Sequence, residues 1–145
     1  EINHRMPIHT VNRIVSLLNG NLNKKHLLIC GISYRQDIGD TRFSPSEILV
    51  RELLSRNAKV TCHDPYLSYW EELDMKLNAK LPSAQDFDAI IMAVPHKEYK
   101  ELNLVKWASK GSVILDANSI FNQNKIRSAR LSGIKIESIG RADGL

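Results

Sequence analysis

The chain lacks the close-set glycines with which a backbone turn grips a pyrophosphate. It has seven glycines in 145 residues, and the two that bracket its most polar loop, Gly31 and Gly39, stand eight apart. That spacing excludes the three-glycine first turn of a dinucleotide-binding domain proper. Cysteine is almost missing too. Cys30 and Cys62 are the only two, too few for a disulfide framework, and each falls in an apolar run where a reduced thiol acts as a small hydrophobe. They could be neighbours on adjacent strands. No apolar run approaches membrane-spanning length and no secretory leader is legible, so the expectation is a cytoplasmic protein without a membrane partner. Basic residues give a net charge of +4, yet no Lys/Arg run exceeds two residues and no aromatics are interleaved with them. Lys125, Arg127, Arg130 and Lys135 recur singly, which disfavours a nucleic-acid partner and suits a small anionic ligand. No metal site is expected.

What the chain does have is one well-punctuated joint. Residues 26–32 read as a buried strand, because Leu27, Leu28, Ile29 and Cys30 form a continuous apolar run ending at Gly31. Ser44 is placed as an N-cap, Pro45 as the first helical residue and Glu47 as the third after the cap, the pattern of a capping box. Between strand and helix lies a polar loop carrying Arg35, Asp37, Asp40 and Arg42. Such a joint exposes free N–H groups and a positive dipole end at the strand's carboxyl edge. With bare backbone excluded, the loop would grip through side chains: each arginine offers a planar fork to a phosphate, and the aspartates orient those forks or accept from sugar hydroxyls. The same four charges are equally what a solvated surface loop carries.

The remaining chain alternates strand and helix. Residues 1–19 form a helix in which Pro7 stands near the start and Ile8, Val11, Ile14, Val15 and Leu18 recur at helical spacing, with Gly20 as its end. The helix from Pro45 stops near Asn57, which tolerates a left-handed C-terminal conformation. Residues 59–63 form a second strand ending at Asp64-Pro65, where Asp64 is placed either to hold a ribose or to cap the following turn. Residues 66–85 are weakly patterned, with Tyr66, Tyr69, Trp70 and Leu73 on a short helix. Residues 88–94 form a central strand; Pro95-His96 turns off it, and His96 is placed either to contact a nucleotide or, the reading favoured because no carboxylate accompanies it in sequence, to bond the local backbone. A helix over 98–109 buries Leu102, Val105 and Trp107 or their neighbours and is closed by Gly111. A strand at 112–115 leads into Asp116-Ala117-Asn118, and a helix over 122–131 leads to a last strand at 134–139. The pattern predicts an α/β fold: a doubly wound, mostly parallel, Rossmann-like sheet with helices on both faces and right-handed crossovers, preceded by an N-terminal helix. Ligands bind such sheets at the carboxyl ends of the strands, where residues 34–42, Asp64, His96 and Asn118 converge.

The run from Ser33 to Pro45, Ser-Tyr-Arg-Gln-Asp-Ile-Gly-Asp-Thr-Arg-Phe-Ser-Pro, resembles the F-K-x-D-T-x-D-x-R-x-S-P segment of the UDP-glucose/GDP-mannose dehydrogenase family. That segment opens the family's C-terminal, nucleotide-sugar-binding domain. Asp37, Asp40, Arg42, Ser44 and Pro45 match outright. Further likenesses follow in family order: His63-Asp64-Pro65-Tyr66 resembles Y-D-P, Val94 to Tyr99 resembles V-x-H-x-E-F, Asp116-Ala117-Asn118 resembles D-x-N, and Gly140-Arg141 resembles the closing G-R. Two positions depart: Tyr34-Arg35 stands for Phe-Lys, and Ile38 for Thr.

The resemblance implies that residues 1–23 are the end of a central linker and dimerisation helix and that residues 24–145 bind the nucleotide of a sugar nucleotide, a UDP-sugar being favoured. It implies that Tyr34 and Arg35 contact the substrate, that Arg42 reaches NAD across a domain boundary, and that Asp37 and Asp40 shape the loop. Arg35 keeps the family's charge but replaces a point donor by a planar fork, so the contact geometry must differ. The implied whole enzyme is an NAD-dependent UDP-glucose 6-dehydrogenase-like homodimer of polysaccharide biosynthesis. It oxidises a C6 alcohol to a carboxylate in two steps through a thiol adduct. The nucleophilic cysteine and main NAD site lie N-terminal to everything here, so no catalytic residue is expected in this piece, which alone should not turn over. The rival readings are a stand-alone nucleotide-binding or regulatory module, and an NAD-binding Rossmann domain, against which the missing glycines weigh.

Overall fold

The computed structural model describes residues 5–33, 39, 41, 44–78 and 80–139. In chain order its elements are α1 (Arg5–Leu17), β1 (His26–Cys30), α2 (Pro45–Ser55), β2 (Lys59–His63), β3 (Tyr69–Trp70), β4 (Met75–Lys76) and β5 (Ala89–Met92). There follow α3 (Lys97–Lys100), α4 (Leu104–Trp107), β6 (Val113–Asp116), α5 (Gln123–Leu131) and β7 (Lys135–Ser138). Five strands form one parallel sheet in the order β2-β1-β5-β6-β7. The two most central apolar runs of the sequence, β1 and β5, occupy inner positions, where both faces of a strand meet an apolar layer.

Alternate residues of these strands feed two separate cores. Leu27, Ile29, Ala89, Ile91 and Leu115 pack with Val11 and Ile14 of α1 and Leu49, Val50 and Leu53 of α2. Leu28, Cys30, Ile90, Met92, Ile114 and Ile136 pack on the other side with Tyr99, Leu104, Ile126 and Ala129. Helices therefore cover both faces, as the alternating pattern requires. The chain leaves β1 toward one face and leaves β5 toward the other, so their carboxyl ends flank a topological switch point. There the two backbones nearly touch. Gly31 has φ +104°, and a Cβ on it would lie 2.6 Å from Val94 Cβ and 2.7 Å from Val94 N.

Three sequence expectations change in detail. The helix expected over 98–109 is two short helices, because the side chain of Asn103 accepts from Lys106 N and starts a new turn. Val105 consequently faces solvent, while Leu104 and Ala108 are buried. The described residues of 66–85 hold no α-helix but a small antiparallel hairpin, β3 with β4, which plants Trp70 in the core, and single 3-10 turns at Glu71–Leu73 and Ala84–Asp86. Only half of the capping box forms: Ser44 Oγ accepts from Ser46 N, while Glu47 pairs with Arg51 at 2.9 Å. Asn57 takes φ +65° beyond α2 as expected. The helix α1 packs onto the same domain, burying Val11 and Ile14 and joining Arg13 to Glu137 of β7 through two contacts of 2.7 and 2.8 Å.

Replacing Gly31 by alanine adds a left-handed-backbone penalty to a clash with Val94, just past β5, and should cost about 3 kcal/mol in denaturant unfolding. An unchanged unfolding free energy would show that the β1–β5 contact is not tight.

Candidate functional site

The carboxylate of Asp64, one residue past β2, organises the switch point. Its Oδ2 accepts from Ile32 N at 2.8 Å, Ser33 N at 3.0 Å, Ser33 Oγ at 2.9 Å and His96 Nε2 at 3.0 Å. Its Oδ1 accepts from Tyr66 N at 2.9 Å. The parallel register that pairs Cys30 with His63 sets Asp64 beside the start of the β1 loop, which is why so short a side chain reaches two successive N–H groups. The side chains of Asp64 and His96 are both fully buried. Burial pushes the Asp64 carboxyl up, but the His96 bond and the N–H groups of Ile32, Tyr66 and Ser33 outweigh it and hold the group at about 2. Asp64 is thus a buried, ionised acceptor tying together the ends of β1, β2 and β5.

A second layer supports it. Tyr99 is buried, and its hydroxyl donates to the His63 carbonyl at 3.0 Å, which leaves it to accept from His63 Nδ1 at 2.8 Å and fixes that ring's tautomer. Burial lowers the His63 imidazole, the nearby Asp64 charge opposing. The Tyr66 ring lies 4.9 Å from the His96 ring, centroid to centroid, and its hydroxyl donates to Glu98 at 3.0 Å. At the end of β6, buried Asp116 accepts from the N–H groups of Asn118, Ile120 and Phe121, while Asn118 Nδ2 donates to the Ala93 carbonyl at 3.2 Å. Burial raises the Asp116 carboxyl against those three donors.

The loop that leaves this network returns to it. Ser44 Oγ donates to the Ile32 carbonyl at 2.5 Å, and Ser46 Oγ donates to the Gly31 carbonyl at 2.9 Å. All three serines, Ser33, Ser44 and Ser46, are buried. Between those anchors Gly39 lies against the Asp64–Leu67 turn, where a Cβ would come within 2.9 Å of the Tyr66 carbonyl, and Thr41 Oγ1 donates to Glu72 at 2.8 Å. Tyr34, Arg35, Asp37, Asp40 and Arg42, the loop residues singled out in the sequence, lie outside the described residues.

Of the other expected rim residues, Asp64, His96 and Asn118 do gather at the carboxyl edge. Asp64 caps the following turn through Tyr66, and its buried oxygens are not offered to a ribose. His96 departs from expectation: it bonds a carboxylate 32 residues earlier in the chain. Sequence reading missed this partnership, and Ser33 with it; the available signal was an Asp and a His at the tips of two strands that the fold brings near each other. Cys30 and Cys62 are buried free thiols on opposite faces of the sheet. Burial raises both, Cys62 to about 12, so neither is a ready nucleophile.

The Asp64 carboxyl lies below its unfolded value of about 3.9, so its contribution is complete above that pH and is lost as the pH falls through about 2. Asp64→Asn should therefore be less stable than the native chain at pH 7. The gap should narrow by about 2 kcal/mol between pH 5 and pH 2 in denaturant titrations. A gap independent of pH would mean that the charge is not what those donors require.

Residues 28–123 match the model of the UDP-glucose/GDP-mannose dehydrogenase family, UDP binding domain. Among curated proteins, the UDP-N-acetyl-D-mannosamine dehydrogenase of Methanococcus vannielii is 30% identical over 146 residues, covering 97% of this chain and 33% of the relative. The UDP-glucose 6-dehydrogenase of Rickettsia conorii is 28% identical over 136 residues, covering 86% of this chain and 31% of the relative. Among solved structures, the NDP-N-acetyl-D-galactosaminuronic acid dehydrogenase of Methanosarcina mazei superposes with a TM-score of 0.78 at 24% identity, over 96% of this chain and 30% of that one. A UDP-glucose dehydrogenase of Pyrobaculum islandicum gives 0.70 at 25% identity, over 95% and 30%. The chain spans about a third of the length of these relatives. With the doubly wound parallel sheet that its alternating pattern called for, the chain belongs to the UDP-glucose/GDP-mannose dehydrogenase family, and the part it represents is that family's UDP binding domain.

Proposed function

We propose that this chain holds the nucleotide part of a UDP-sugar for an NAD-dependent 6-dehydrogenase that oxidises the sugar's C6 alcohol to a carboxylate. The observation that carries the reading is the loop between β1 and α2. It begins and ends on buried hydrogen bonds at the switch point, where a doubly wound sheet presents its ligand, and it carries Arg42, which matches the arginine of the family motif, and Arg35, which stands at the motif's lysine. By the family likeness, Tyr34 and Arg35 meet the nucleotide sugar, Arg42 reaches the cofactor, and Asp37 and Asp40 keep the loop's shape. Guanidinium forks suit a diphosphate because each supplies paired, charge-assisted donors. NAD, when bound to the whole enzyme, accepts the hydride; the task of this part is to bind and orient, and the rigid root keeps that orientation from being lost to loop entropy.

On the same reading, the whole enzyme works in the cytoplasm as a homodimer in polysaccharide biosynthesis, with α1 continuing the central helix. Both UDP-N-acetyl-D-mannosamine and UDP-glucose dehydrogenases stand among the relatives, which supports a UDP-sugar without choosing between the two. Calorimetry of the 145-residue chain with UDP, UDP-glucose, GDP-mannose and NAD tests the reading. UDP ligands should bind weakly and GDP-mannose and NAD less, no NADH should form, and Arg35→Ala should reduce UDP affinity about 10- to 100-fold. NAD reduction by the chain alone, or equal UDP affinity without Arg35, would overturn it.

A further inference from the structure

In a strand–loop–helix joint, the first N–H groups beyond the strand are those offered to a ligand's phosphate. Here the N–H of Gly31 still donates to the His63 carbonyl in the ladder; the next two, on Ile32 and Ser33, both point at Asp64 Oδ2, and Ser33 Oγ and His96 Nε2 complete a cluster of four donors at 2.8 to 3.0 Å from one oxygen. Ile32, Ser33 and His96 have no exposed surface, and Asp64 retains 3%. Four donors converging on one buried anionic oxygen form an anion seat, and β2 delivers the anion from within the chain. The position matters as well. An acidic residue at the tip of the second strand faces a ribose in dinucleotide-binding sheets, whereas this one is turned inward, its other oxygen taken by Tyr66 N.

We propose that Asp64 is a built-in anion and a specificity-determining residue, whose carboxylate fills the strand-end seat and so bars a ligand's phosphate from the backbone of β1. A phosphate at the same donors would face the carboxylate's charge within hydrogen-bonding distance, and the seat's N–H groups have no further capacity to donate. A dinucleotide therefore has no backbone seat at β1, and any nucleotide must present its phosphates to side chains farther along the loop. This consequence does not depend on which nucleotide the domain takes. It also accounts for a first turn that needs Gly31 for its approach to β5 but has no glycine series for a pyrophosphate.

The test removes the internal anion and supplies a small external one. Thermal midpoints and amide spectra of Asp64→Ala, Asp64→Asn and the native chain are recorded against formate, with chloride at equal ionic strength as control. Asp64→Ala should melt below the native chain and recover by roughly 5 °C at saturating formate, as expected for a ligand bound only by the folded state. Its Ile32 and Ser33 amide resonances should return toward their native positions. The other two proteins, whose seat is filled, should respond to formate no more than to chloride. Should Asp64→Ala fold only with formate, that too supports the seat. Failure of formate to restore it at any concentration would overturn the proposal, as would phosphate shifting the Ile32 and Ser33 amides of the native chain.

Discussion

One carboxylate oxygen, accepting from two backbone N–H groups, a hydroxyl and an imidazole, is the constraint on which the rim of this sheet depends. A buried charge is costly to desolvate and is tolerated only where its lone pairs are taken up. The Asp64 cluster meets that condition with donors from the ends of β1 and β5 around a carboxylate at the end of β2. The dependence runs both ways: without the carboxylate, the N–H groups of Ile32 and Ser33 and the ring of His96 are left as buried donors. The unit therefore holds or fails as a whole, and it converts the loose edge of a parallel sheet into a fixed platform.

That platform anchors the loop proposed to hold the ligand, in a sheet without a glycine-rich turn. The residues between β1 and α2 enter from an Asp64-bound backbone and leave through Ser44 and Ser46, whose hydroxyls bond the carbonyls of Ile32 and Gly31. Entry and exit thus share the same two peptide groups, Gly31–Ile32 and Ile32–Ser33. A loop so rooted can be long and polar while both its ends stay fixed, which is what the proposed side-chain grip on a diphosphate requires. The support beneath it is apolar: Tyr99, at the centre of the second core, reaches up to the His63 carbonyl and joins that core to the rim. On the opposite face, α1 and α2 share the cover of the sheet, so α1 is part of the domain's own core.

Much of this was legible in the sequence because it rests on local chemistry. Continuous apolar runs marked β1 and β5, Ser44-Pro45 marked the start of α2, and Asn57 marked its end; each signal acts within a few residues of its effect. Legibility failed where the deciding contact is distant or very short. His96 was read without a carboxylate partner because Asp64 lies 32 residues away, and only the parallel register brings them together. Asp64 itself carried two readings, and burial of its oxygens, a tertiary fact, decides for the turn. The hairpin of β3 and β4 has two residues in each strand, below the length at which alternation can be read, and is held by the burial of Trp70. The break between α3 and α4 hinged on a single capping asparagine inside an otherwise helical pattern.

The claim that binding belongs to the switch-point rim is open to direct measurement by following backbone amide resonances of the chain during titration with UDP. Perturbations should concentrate at Gly39, Thr41, Tyr66 and Asn118, and be absent from the cleft that Ile8 and Val11 of α1 form with Ile48 and Glu52 of α2 and from the groove where Leu104 of α4 meets Lys125 of α5. Shifts centred on Ile8 and Ile48, or on Leu102 and Lys125, with the rim unmoved, would contradict the account.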